Sequence, residues 1–502
     1  MNTRRLYAVV GACAIVFYLS ALWNHFALDD NQIIAFNALV HHISGMWRTF
    51  ASPYWPPDVG GGLYRPLPIA SYSLDWALSG GSAWWFHAVN LVWHAGASVA
   101  VAYLARHLSG DRAAWTAGLL FAVHPVHVEA VANVVGRAEL MAALFVVLAV
   151  YAALARDQLW WSLTALACGV LSKENAIVGP ALIVWAWVLG LARPSRERML
   201  AYAVSWLVFG VVYFVFRIAV LQQGVANTPA PVFFGASPID VRLTAIATLA
   251  DVARLLVFPL KLRIDYSPAE RSLITSPLDL SFVAGLLCFT AWAALLWLCW
   301  RRGRRVEAFG LGWIGIAFLP VSNLLALGSI LLGERNLYLP SVGLALAVGA
   351  WLQALEPPPR LAAVLGVLVF AGGARTALRV PVWKDSREVT ISELEDSPNS
   401  FLAHGHVAMF LLTAHQPAKA LDEFRTSTSL FDVKLPWLYV TGAEAAWATG
   451  QPALADSILS RLEVVCRPCD FFYRYEASIA RARGYPVAAD SFLARSRRSR
   501  GR

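Results

Sequence analysis

Several polar clusters interrupt an otherwise apolar chain, and their residue types suit transfer chemistry. The first is Asp29-Asp30, in Ala27-Leu28-Asp29-Asp30-Asn31. Of two adjacent carboxylates, one can take a proton as a general base while the other orients it or holds a cation. A solvated acidic loop is the plain alternative. Next come Tyr64-Arg65-Pro66-Leu67-Pro68 and Trp84-Trp85-Phe86-His87. The planar donor fork of Arg65 suits a phosphate, and it suits a lipid headgroup equally well. His124-Pro125-Val126-His127-Val128-Glu129 sets two imidazoles and a carboxylate close together. That trio can ligate a metal or hydrogen-bond a substrate. Gly136-Arg137-Ala138-Glu139 and Leu171-Ser172-Lys173-Glu174-Asn175 place charges inside or beside apolar runs. Charges there are costly unless they pair or line a wet cavity, so they mark a functional cavity, although Lys173 and Glu174 can also snorkel to the interface. Asp265-Tyr266-Ser267-Pro268 and Gly333-Glu334-Arg335-Asn336 complete the set.

The elements that must position these groups are membrane helices. Of 502 residues, 58% are hydrophobic and 15% charged, well away from a soluble domain. The apolar residues fall into runs of about 18–20, enough to cross a hydrocarbon core of about 30 Å. Spans are expected near 6–26, 86–107, 112–128, 134–155, 158–173, 175–192, 199–220, 281–300, 307–327, 335–354 and 361–378. The run at 6–26 is too long for a signal peptide and has no small-x-small cleavage site, so it reads as an uncleaved first span. Many of the 21 tryptophans lie near run ends, at headgroup level. The net charge of +9 resides in short loops between runs, so topology explains it without nucleic acid.

Loop charge sets the orientation. Arg4 and Arg5, the loop from Arg106 to Arg112, Arg156, the loop from Arg193 to Arg198 and the loop from Arg301 to Arg305 all fall inside if segment 241–260 does not cross. That segment contains Arg242, Asp251 and Arg254 and reads as an interfacial or re-entrant helix on the outer side. About eleven crossings result. The N-terminus is then cytoplasmic, and every polar cluster lies on the opposite face. Residues 27–85 form the first outer loop.

Beyond residue 385 the pattern changes. His415-Gln416-Pro417-Ala418-Lys419-Ala420-Leu421-Asp422, Gly450-Gln451-Pro452-Ala453-Leu454-Ala455-Asp456-Ser457 and Gly484-Tyr485-Pro486-Val487-Ala488-Ala489-Asp490-Ser491 recur with a period of about 34, as in tetratricopeptide repeats. The expected organisation is all-α: a transmembrane domain over 1–385 and a short helical solenoid over 386–502 on the outer side. Four of the six cysteines, Cys13, Cys168, Cys288 and Cys299, lie in apolar runs as inert packing residues. Cys466 and Cys469 form a lone CxxC, for which a local disulfide is expected outside the cytoplasm.

Taken in order, Tyr64-Arg65-Pro66-Leu67, Phe86-His87-Ala88-Val89-Asn90, His124-Pro125-Val126-His127-Val128-Glu129, Gly136-Arg137-Ala138-Glu139-Leu140, Leu171-Ser172-Lys173-Glu174-Asn175 and Glu334-Arg335-Asn336-Leu337-Tyr338-Leu339-Pro340 resemble the transmembrane and tetratricopeptide-repeat proteins. These are polytopic GT-C class glycosyltransferases whose eukaryotic members are O-mannosyltransferases. The resemblance runs from Asp29 to Trp383. It implies transfer of mannose or a similar sugar from a polyprenyl-phosphate donor to a hydroxyl, protein Ser/Thr, at the outer membrane face. Asp29 or Asp30 would be the base, the first of the pair being favoured, with inversion at the anomeric carbon. Arg137, Lys173 and Arg335 would hold the donor phosphate. Arg65, His87, His124, His127, Glu129, Glu139 and Glu174 would shape the substrate site. A divalent cation, Mg or Mn, is required in some GT-C families and not in others. The compact chain suits a bacterial relative in an inner membrane, with its repeats in the periplasm, where they could recruit a protein acceptor. Two other functions fit a polytopic chain: a flippase or transporter for a lipid-linked substrate, and a non-catalytic envelope scaffold built on the repeats.

Overall fold

The structure is a computed structural model that describes residues 3–56, 62–222, 229–257, 259–266, 268, 270–355, 359–432, 435–463 and 470–500. Among these, every regular element is a helix, and no strand occurs. The all-α expectation holds. Cys466 and Cys469 lie outside the described residues.

Among the described residues, six helices are long and apolar enough to cross a membrane: Ala83–Ser109, Val134–Arg156, Arg196–Leu221, Leu280–Arg301, Glu334–Ala354 and Ala363–Trp383. Arg196–Leu221 and Leu280–Arg301 bury only 11% of their most apolar stretch within the protein. Leu207, Val211, Phe214, Val215, Leu287, Leu295 and Trp297 all stand exposed along them. A face of that kind is unfavourable in water and ordinary in lipid, so the chain is an integral membrane protein. Other expected spans are shorter helices. The run at 158–173 is Leu159–Ser172, that at 175–192 is Gly179–Val188, that at 112–128 is Asp111–Val123, and that at 307–327 is Arg305–Phe318. The first run is Thr3–Val16 followed by a tighter turn, Leu19–Trp23. Segment 241–260 falls mostly within the helix Pro238–Val257, whose Asp251 pairs with Arg271 at 2.6 Å.

The bundle closes where side chains vanish. A methyl group on Gly310 would lie 2.4 Å from the Gly343 carbonyl oxygen, and one on Gly343 would lie 2.3 Å from that of Gly310. The helices Arg305–Phe318 and Tyr338–Ala354 therefore meet backbone to backbone. Small residues allow this close approach in membrane helices.

The segment 27–85 contains a helix that periodicity did not announce, Pro66–Ser79, started by Pro66 and Pro68 and ended by Gly80 in the left-handed region. Proline at a first helical turn and glycine just past the last is the favourable arrangement. After Ser386–Asp396 come three helical hairpins: Phe401–Thr413 with Pro417–Leu430, Pro436–Ala448 with Pro452–Glu463, and Asp470–Ala482 with Pro486–Arg500. Their turns are built alike. His415, Gly450 and Gly484 each take positive φ, and the following residue donates its N–H to Leu411, Ala446 or Ala480 respectively. A separate apolar core, including Phe401, Phe424, Tyr439, Leu459 and Phe492, holds the hairpins together.

The hairpins are tied to the membrane body. Ser400 and Asp265 bond at 2.6 Å, and the Asn399 N–H donates to Glu270 at 2.8 Å. The Leu28 N–H donates to the Ser386 hydroxyl at 2.9 Å, which pins the acidic loop against Ser386–Asp396.

Candidate active site

A cavity of about 430 Å³ opens where the polar clusters converge. Asp29, Arg65, Glu139, Lys173, Glu174 and Arg335 all line it. They come from sequence positions more than 300 apart, so half of the twelve candidate residues meet at one place. Gly136 forms part of its wall, and a methyl group there would sit 2.2 Å from the Ala130 carbonyl oxygen. The backbone approach that shapes this corner admits only glycine.

The charges are largely paired. Arg65 grips Glu174 with both arms, at 2.8 and 2.5 Å, and its guanidinium stacks 5.1 Å from the Tyr54 ring. Lys173 bonds to Glu139 in a buried contact and reaches Asn336 at 3.4 Å. Arg335 lies 3.4 Å from Glu129, which also accepts the Arg335 backbone N–H at 2.8 Å. Pairing of this kind holds cations in a low-dielectric cavity and leaves part of their field for an anionic guest.

Asp29 and Asp30 are adjacent in sequence and differ completely in environment. Asp30 is fully buried, and its carboxylate accepts from the backbone N–H groups of Ala27, Val134 and Val135 at 3.1, 3.3 and 2.8 Å. Burial pushes it up to about 7, although the three N–H donors favour the charged form. It clamps the segment at Ala27 to the start of the helix that carries Glu139. The Asp29 carboxylate, by contrast, faces the cavity without a hydrogen-bond or ion-pair partner among the described residues.

Apart from Glu129, which meets the cavity only through Arg335, five candidates lie elsewhere. Arg137 does not line the cavity. It is fully buried, and its donors go to Asp75, Ser71 at 3.0 Å, Asn90 at 2.8 Å and the Phe86 carbonyl at 3.0 Å. Its guanidinium lies over the Tyr72 ring. The group locks Pro66–Ser79 onto the bundle, and four of its five N–H donors are committed in a site closed to solvent. Asp30 is the second, as described. His87 is buried beside the His25 carbonyl at 3.3 Å. His124 donates from Nε2 to the Leu256 carbonyl at 2.9 Å and accepts the Val126 N–H on Nδ1 at 3.3 Å. His127 packs in the interior with Nε2 2.7 Å from the Ser341 hydroxyl. The metal alternative for the trio fails on this geometry. Both ring nitrogens of His124 are taken, Glu129 serves Arg335, and no group of three ligating side chains converges among the described residues.

One group escaped the sequence reading. Arg217, near the end of Arg196–Leu221, also lines the cavity. Its Nη2 donates to the Gly62 carbonyl at 3.0 Å, while Nη1 is buried and has no partner. Its signal was present: a charge within the apolar run 199–220 needs a reason. Phe214, one turn away, belongs both to the cavity and to an apolar groove on the same helix that includes Leu207, Gly210, Val211 and Ile218.

No described protein-family profile matches the chain. The chain is 28% identical over 471 residues to the human protein O-mannosyl-transferase TMTC4, covering 80% of this chain and 63% of that protein. It is 27% identical to the Caenorhabditis elegans protein O-mannosyl-transferase F38B6.6, over 79% of this chain and 59% of that one. A stretch of 192 residues is 39% identical to Drosophila melanogaster protein O-mannosyl-transferase Tmtc2, over 34% of this chain and 20% of that one. The resemblance to the first two extends over most of the chain, which spans about three-fifths of their length. Among solved structures, ArnT from Cupriavidus metallidurans bound to undecaprenyl phosphate aligns with 93% of this chain and 82% of its own, at 16% identity and a TM-score of 0.41.

Proposed function

We propose that the chain is a membrane glycosyltransferase that moves mannose or a similar sugar from a polyprenyl-phosphate donor to a protein Ser/Thr hydroxyl at the outer membrane face. The observation that carries this reading is Asp29, an uncommitted carboxylate on the wall of a cavity that gathers Arg65, Lys173, Arg217 and Arg335. The names of the relatives, protein O-mannosyl-transferases, agree with it.

In this reading the donor phosphate lies against the cations. Arg217 is its foremost partner because Nη1 is otherwise unpartnered. The polyprenyl tail follows the apolar groove from Phe214 down the lipid-facing side of Arg196–Leu221. Asp29 takes the proton of the acceptor hydroxyl, whose oxygen attacks the anomeric carbon. The bond from that carbon to the phosphate oxygen breaks, and polyprenyl phosphate leaves with the electron pair. Guanidinium and ammonium groups fixed in place stabilise the charge developing on the leaving phosphate. Attack opposite the leaving group inverts the anomeric centre. Loop charge supports the outer face, since basic loops are favoured on the cytoplasmic side and the cavity-lining clusters fall in the other loops.

The test is sugar transfer by the purified chain in proteoliposomes, offered polyprenyl-phosphate mannose and polyprenyl-phosphate glucose with a pool of Ser/Thr peptides. Acceptor-dependent release of polyprenyl phosphate from either donor is expected. Failure to consume any such donor would sink the reading.

A further inference from the structure

A second cavity, of about 370 Å³, adjoins the first and shares Asp29 and Arg335 with it. One of its walls comes from beyond the membrane body. Leu402 and His406 project into it from Phe401–Thr413, and Leu435 from the turn before Pro436–Ala448. Facing them are Val232 and Phe234 of an outer loop. The bonds from Ser400 to Asp265 and from Asn399 to Glu270 hold this wall in place beside the cavity.

We propose that this second cavity seats the acceptor, as a polypeptide segment, and that the first helical hairpin selects it by direct contact. The proposal rests on the transferase reading above. Three features carry it. First, the nucleophile must reach the anomeric carbon from the side away from the leaving phosphate. Two cavities that meet at one free carboxylate supply the two approaches, with Lys173, Arg65 and Arg217 confined to the first. Second, the walls fit side chains of a peptide. Leu402, Leu435, Val232 and Phe234 offer aliphatic and aromatic surface to apolar side chains, and Asn133, Glu393 and His406 among the same walls offer polar groups to a peptide backbone. Third, one wall belongs to helices with a core of their own outside the bundle, so a water-borne chain can enter where a lipid would not. The hairpins then act as part of the specificity site, where a tether would act at a distance.

The experiment uses the full-length chain, polyprenyl-phosphate mannose and synthetic octapeptides with one Ser or Thr flanked by Val and Leu. Leu402→Trp and Leu435→Trp shrink the cavity from its hairpin side. Each is expected to raise the peptide KM by about ten-fold or more. Cleavage of the donor by water, measured without peptide, should stay within about two-fold of wild type, which also reports correct folding. A benzophenone carried by the peptide beside its Ser or Thr should cross-link to the first hairpin of the wild-type chain. Unchanged peptide KM in both tryptophan variants, or no cross-link to that hairpin, overturns the inference while leaving the transferase reading intact. Transfer to free oligosaccharide or lipid but to no peptide overturns it as well. A wild-type chain that consumes no donor, with or without peptide, removes the transferase reading and the inference with it.

Discussion

Arg137 and Arg217 are both guanidinium groups on apolar helices, and their partners separate their roles. Arg137 has Asp75, Ser71, Asn90 and a backbone carbonyl around it in a site closed to solvent. Removing one member of a buried pair leaves an uncompensated charge and costs about 3–5 kcal/mol. Arg137→Ala should therefore lower thermal stability sharply and lose all activity with it. Arg217→Ala removes no carboxylate's partner and should leave the unfolding temperature within about 2 °C, given the small effect of substitutions away from core and ion-pair features. Its donor KM should rise about ten-fold or more, because a charge-assisted bond to phosphate is worth about 1.5–3 kcal/mol. Equal loss of stability in the two variants would contradict the division. The sequence showed cations beside apolar runs, and so made Lys173, Arg335 and Arg65 legible. It could not separate Arg137 from them, because the partner that commits Arg137 is Asp75, on a helix whose placement is purely tertiary. Arg217 was readable as a charge within the run 199–220, where the span assignment had absorbed it.

At the scale of elements, the turns of the hairpins were written plainly. A residue with positive φ followed by one polar or aromatic residue and proline recurs at His415, Gly450 and Gly484, and each begins a helix. Pro66–Ser79 gave no comparable signal, because its buried face mixes Tyr72, Ser73 and Asp75 with Ile69 and Ala70 and so breaks the apolar stripe. The join between Ser386–Asp396 and Phe401–Thr413 carries a pH dependence. Burial pulls the His406 ring down, but the Glu393 carboxylate 2.9 Å away outweighs it, helped by Asp265 and Asp29, and His406 sits above its ordinary value. A raised histidine contributes stability that is fully present below the unfolded value of about 6.5 and is lost as pH rises through the folded one. Thermal unfolding followed from about pH 6 to about pH 9 should show the hairpin region weakening with pH in the wild type. Glu393→Gln should flatten that slope. An unchanged slope in the variant would show that another group sets it.

For the whole molecule, the membrane body supplies the charged cavity and the exposed helix face, and the hairpins close the far side of a second cavity that meets the first at Asp29. Composition and run length sufficed to read the membrane helices, because crossing a bilayer needs a fixed length of apolar chain. The meeting of the two cavities could not be read in that way, since it depends on contacts between positions several hundred residues apart. The central claim is that Asp29 is the base and Asp30 a structural clamp. The most direct measurement is turnover and thermal stability of Asp29→Asn and Asp30→Asn, side by side, with one donor and one peptide. Asp29→Asn should lose about 10²–10⁴-fold in kcat with its unfolding temperature unchanged. Asp30→Asn should lose stability, by about 1–3 kcal/mol, because the amide nitrogen replaces one oxygen and sets its N–H against the backbone N–H of Val135 or against those of Ala27 and Val134. Wild-type kcat in Asp29→Asn would contradict the account.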